Sequence, residues 1–301
     1  MRLRSATAAL ASKAATAAVT LRQPATAALF SWAPCRRAAA VFAAANGAGL
    51  AVSYASGGSH LHLDLIGSGA FVVAAYTTRG HHARTRLSAM LAGVWGARLA
   101  SFLFYRVVTS EKQHDARLGD TAMANFWAVS FLWGAVAALP HTLAAGAARP
   151  PALGALGVGA ALLAGCGIAT ESVADWQKHS FKSEPSNAGK FCSVGLWSVV
   201  QQPNYLGDLM LWGGLLLLNA PSLLVGWKSS KLTALGRLGV GALGPAFMWA
   251  LFYGQASGAF TNSAELRGAK YGSDPAYLDY VAATPLILPG IPPPPKVVFP
   301  P

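Results

Sequence analysis

The chain has 301 residues, of which 53% are hydrophobic and 11% charged, with a formal net charge of +12 and a mean hydropathy of +0.41. That balance excludes an ordinary soluble domain and fits a membrane protein. The positive charge does not indicate nucleic acid, because the basic residues outside the N-terminal arm mostly flank apolar runs, where Lys and Arg anchor spans, and no nucleic-acid motif is present.

In chain order, residues 1–36 are rich in Ala, Ser, Thr and Arg, and no acid occurs before Asp64. This arm reads as a transit peptide or a disordered basic arm. The first reading implies a chloroplast or mitochondrial membrane, with the endoplasmic reticulum as the alternative. Apolar runs follow at Arg37 to Tyr54, Leu65 to Thr78, Leu87 to Val108, Met123 to Ala145, Leu153 to Thr170, Leu206 to Trp227 and Leu232 to Gln255. Crossing a bilayer takes about 17–25 such residues, so the second run is short. Lipid offers backbone groups no partner, so these runs must be helices. The expected fold is all-α, a polytopic membrane protein of six to seven transmembrane helices with a polar cavity opening to one face. Residues 290–301 are Pro-rich and read as an extended tail. Cys35, Cys166 and Cys192 suggest neither a disulfide framework nor a metal site.

Alternation of seven spans puts the loops at 57–64, 105–120 and 171–205 and the tail from Ser257 on one face. Every acidic residue in the chain then lies on that face, while the opposite loops carry only basic charge. A soluble ligand would dock on the acid-bearing side. Counts of Lys and Arg do not orient the protein.

The segment Glu171 to Gly214 is where the apolar chain turns densely polar. Pro203 suits a first helical turn, with Gln202 as its cap. Asn204, Tyr205 and Asp208 then fall within two turns at i, i+4 and i, i+3 spacing and point to one side. A carboxylate entering a membrane helix needs a partner, which makes Asp208 a functional candidate. The preceding loop offers Lys178, Lys182 and Lys190 among glycines, a pattern that suits phosphate. Arg98, inside a span, calls for an acid such as Asp64 or Glu171, or lines the polar cavity. Trp176, Trp197 and Trp227 read as interfacial anchors.

The motifs DWQKHSFK, NAGKFCSVGLW and PNYLGDLMLWGG, with GVWGARLASFLFYR upstream and AKYGSDPAYLDYVAATPLILP downstream, resemble the C-terminal domain of the steroid 5-alpha-reductase family. The likeness makes residues 37–289 a steroid-reductase-like membrane domain, similar also to sterol reductases and isoprenylcysteine methyltransferases. It implies an NADPH-dependent reductase that saturates an activated C=C bond of a lipid-soluble substrate. By motif, Asn204, Tyr205, Gly207 and Asp208 match positions facing the nicotinamide half of the cofactor. Lys182 and Lys190 match positions near its phosphates, and Tyr271, Tyr277 and Tyr280 resemble the segment over the adenosine half. Asp208 stands where the family has Glu, and Gln201-Gln202 where this branch often has Arg-His. Asp64 and Tyr105 lie at the depth of the family's carbonyl-polarising pair, although each also fits an ordinary interfacial residue. Two other readings remain: an S-adenosylmethionine-dependent isoprenylcysteine-type methyltransferase, and a non-catalytic lipid-binding or assembly protein.

Overall fold

A computed structural model describes residues 29–59, 61–109, 119–259 and 263–292, with backbone only for 263–265. The basic arm up to residue 28, Glu111, Asp115 and the tail from residue 293 lie outside the described residues.

The chain is helical: α1 (Ala33–Ala55), α2 (Leu63–Thr78), α3 (Ala83–Val108), α4 (Asp120–Ala137), α5 (Leu139–Ala144), α6 (Ala155–Ser183), α7 (Pro203–Leu223), α8 (Lys231–Ser257), α9 (Ser263–Tyr271) and α10 (Pro275–Ala283). Five of them, α1, α3, α6, α7 and α8, are long and apolar enough to cross a bilayer. The 16-residue α2 is the short run anticipated above. The run expected to cross unbroken from Met123 to Ala145 is instead divided at Ala138 into α4 and α5. Pro140 in the first turn of α5 has no N–H to continue the ladder.

Alternation holds. Phe42 meets Phe71 and Ser53 meets His62, so α1 and α2 are antiparallel. Trp95 and Arg98 reach Glu171 while Tyr105 reaches His179, so α3 and α6 run parallel. Two helices of this bundle approach at backbone contact: a Cβ built on Gly207 would stand 2.6 Å from the Glu171 nitrogen, and one on Gly214 2.7 Å from that of Ala164. Small residues permit such contact where apolar burial alone does not drive helices together. At the bundle centre Phe71, Trp95, Trp133 and Trp212 interlock, with ring centroids 4.9–5.9 Å apart.

One boundary departs widely from expectation. Glu171 to Ser183, read above as loop, continues α6. Polar residues do not end a helix, and α6 stops only at Glu184, which precedes Pro185 and takes an extended conformation. Lys178 and Lys182 therefore stand four residues apart on a helix.

Candidate functional site

Just inside the acid-bearing end, α3, α6 and α7 bring their charged residues together. Arg98 donates to Glu171 Oε1 at 2.9 Å and to Asp175 Oδ2 at 2.6 Å, while the Trp95 indole donates to Glu171 Oε2 at 2.7 Å. Arg98 is thus the partner of acids, Glu171 rather than Asp64 among those anticipated, and of its two carboxylates Asp175 lines an open groove. Asp208 is the third carboxylate, 7% exposed and within electrostatic reach of Glu171, Asp175 and Arg98. One guanidinium faces three acids, which is costly in a low-dielectric interior unless another group joins.

Two acceptor atoms are left over. Asp208 Oδ1 and Asn204 Oδ1 are buried without a donor, and Trp212 Nε1, one turn beyond Asp208, is a buried donor without an acceptor. Buried polar atoms are nearly always paired; Asn219 Oδ1 and Ser222 Oγ farther along α7 are unpaired too, but the three within two and a half turns lie beside the charged cluster, which makes this the candidate place for a polar ligand.

The helix begins at Pro203 with Gln202 as N-cap, as the sequence indicates, but the Gln202 side chain does not cap it. Its backbone N–H donates to Leu286 O at 3.0 Å, and Gln201 donates through its amide to Thr284 O at 2.7 Å. The Gln pair tethers the C-terminal segment. Tyr205 does not converge with Asn204 and Asp208. Its ring stacks on Phe252 of α8 at 4.4 Å, and its hydroxyl donates to Gln255 at 3.1 Å, because it falls about 100° around the helix from Asn204. Gly207 faces α6 rather than open space.

The second wall comes from the 184–202 segment and the tail. Lys182 Nζ donates to the Tyr271 hydroxyl at 2.9 Å and also to the Lys190 carbonyl. Phe191 lies against Tyr271, Tyr277 and Tyr280, at 6.2, 5.2 and 5.3 Å between ring centroids. Tyr280 donates to Trp197 O at 2.7 Å. Burial pushes the phenols of Tyr277 and Tyr280 above the usual tyrosine range. Burial acts the same way on Tyr271, but the hydrogen bond and charge of Lys182, with Lys270, outweigh it and hold that phenol below its usual value of 10.0. Trp197, expected as an interfacial anchor, is 3% exposed. It folds inward to donate to Ala174 O at 2.9 Å beneath the Lys178 ammonium, whereas Trp176 and Trp227 are exposed as anchors should be.

Asp64 opens α2, half-buried. Tyr105 is 46% exposed near the end of α3, its ring 5.5 Å from His179. Sequence reasoning missed Trp95 and Asp175. The signals were present: Trp95 and Arg98 are spaced i, i+3, and Glu171 and Asp175 i, i+4, so each pair shares a helix face.

A helical bundle with apolar spans, small-residue helix contacts and a buried charged cluster at one end is a polytopic membrane protein. Its family is set by a match over residues 52–284, and the chain belongs to that family, described as "Protein of unknown function (DUF1295)". No match was found among curated proteins or among solved structures.

Proposed function

We propose that the protein is a membrane reductase that uses NADPH to saturate an activated C=C bond of a lipid. The observation that carries this reading is the pair of buried, donorless oxygens, Asn204 Oδ1 and Asp208 Oδ1. Acceptors of this kind suit a ligand rich in N–H and O–H donors, as a nicotinamide carboxamide and ribose are. Membership in the matched family and the steroid-reductase-like motifs support it further.

In this reading Asn204 and Asp208 would orient the nicotinamide half, Lys182 and Lys190 would face phosphate, and Phe191 with Tyr271, Tyr277 and Tyr280 would offer the adenosine half an aromatic surface. NADPH, when bound, would supply the hydride. The chain's own part is positional and electrostatic. Arg98 holds Glu171 and Asp175 in place, the Gly207 contact fixes α7 against α6, and the interlocked rings of Phe71, Trp95, Trp133 and Trp212 pack the bundle centre beside the site.

The test is titration of the detergent-purified full chain with NADPH and with S-adenosylmethionine, read by nicotinamide fluorescence and thermal stability. NADPH should stabilise the protein, by about 2.7 kcal/mol at a hundredfold excess over Kd. Asp208→Asn should lose that response. No response to NADPH, or an unchanged one in Asp208→Asn, would sink the reductase reading, and stabilisation by S-adenosylmethionine instead would favour a methyltransferase.

A further inference from the structure

Between the last two turns of α3 and the last turns of α6 runs an open groove of about 380 Å³. Arg106, Lys178 and Lys182 bring three cations to it, and Thr109 and Ser183 two hydroxyls. Among the described residues that line it one is a carboxylate, Asp175, held by Arg98 at 2.6 Å and within electrostatic reach of Arg106 and Lys178. Neutral groups engage the lysines: Lys178 lies over the Trp197 ring at 4.2 Å, and Lys182 meets the Tyr271 hydroxyl. Among the described lining residues three cations thus stand against one carboxylate, which leaves the groove net positive.

Its level in the membrane follows from helix length. The 29 residues of α6 extend about 43 Å at 1.5 Å per residue, against a hydrocarbon core of about 30 Å. Every charged residue of α6 falls from Glu171 onward, so the excess length lies at the end that lines the groove, which stands among headgroups. Beside it Phe104, Tyr105, Val173 and Trp176 are exposed by 36–58%, an apolar and aromatic belt of the kind found at the membrane surface. A phosphate presented from that surface would find ammonium and guanidinium donors together.

We propose that this groove is a headgroup site for an anionic phospholipid, its phosphate held by Arg106 and Lys178. The proposal does not depend on the reductase reading. Lys182 also belongs to the candidate cofactor wall, so Arg106 and Lys178 carry the test.

The full chain, purified in detergent, is titrated with phosphatidylglycerol and with phosphatidylcholine, and bound lipid is counted by native mass spectrometry. Phosphatidylglycerol should bind at least about tenfold more tightly, and Arg106→Gln with Lys178→Gln should remove most of that preference. The charge-keeping pair Arg106→Lys with Lys178→Arg should retain it. So should Arg79→Gln with Arg86→Gln, which removes equal charge from exposed positions at the opposite end. If the double Gln variant does not fold in phosphatidylcholine, Arg106→Gln alone should lower the preference about threefold. Equal binding of the two lipids, or equal loss in the opposite-end variant, overturns the proposal. So does displacement of phosphatidylglycerol by NADPH or pyrophosphate, which would assign the groove to a soluble nucleotide.

Discussion

Arg84, in the first turn of α3, and Arg98, just beyond its midpoint, lie on opposite sides of the aromatic centre and meet opposite kinds of partner. Arg84, 4% exposed, donates to three backbone carbonyls, those of Pro151, Ala152 and Leu218. Arg237, on the same side, donates to Leu223 O and Val225 O and lies over the Phe30 ring. At that end the guanidinium groups are consumed by backbone carbonyls: Arg84 ties the loop before α6 to α7, and Arg237 closes the C-terminus of α7. Arg98 instead meets two carboxylates, with a third carboxylate and unpaired acceptors beside them. Both ends hold buried arginine, so the presence of charge in a span does not by itself mark a site. What marks it is charge left over after the fold has been satisfied.

The comparison can be broken at its steric base first. Gly207→Val would push a side chain into the Glu171 backbone and should cost more than about 3 kcal/mol, read as a large fall in melting temperature. Gly213→Ala, with nothing within 4 Å of its Cβ position, should change the melting temperature little. Next in size, Arg98→Met should destabilise by about 3–5 kcal/mol by leaving Glu171 and Asp175 without their cation. Arg98→Met combined with Glu171→Gln and Asp175→Asn should recover much of that loss. For Arg84→Met no pair of acid substitutions can do so, because its partners are carbonyls. A recovery there would overturn the contrast between the two ends. Gln201→Ala should cost about 1 kcal/mol and expose the segment after α10 to protease without altering the core.

The smallest effect concerns pH. The folded-state value of Tyr271 lies below its unfolded value of 10.0, so the phenolate adds stability that is fully present above 10.0 and lost as pH falls through the lowered value. Docking of α9 should therefore tighten as pH rises through that window, measured by amide exchange in α9 and α10. Tyr271→Phe should abolish the change.

Much of the fold was legible in the sequence because a bilayer imposes length and apolarity on each span. The alternation that places Asp64, Asp120, Asp175 and Asp208 at one end followed from counting spans. The polar stretch from Glu171 was less legible, since a hydrated helix and a hydrated loop share a composition, and only Pro185 gave a true stop. Asn204 and Asp208 could be picked out from one helix alone. Trp95, Asp175 and the Tyr205 contact with α8 depend on which helix lies opposite, and tertiary pairing of that kind leaves no mark in local spacing.

The glycine contact of α7 with α6 has a mechanical consequence. Glu171 and Asp208 are carried by two backbones in direct touch, so no rotamer change or loop motion can draw those helices closer, and any added atom wedges them apart. The site has one rigid jaw. Its other wall, built from the 184–202 segment and α9–α10, is held largely by ring contacts and single hydrogen bonds. Adjustment to a guest of different size falls on that softer wall.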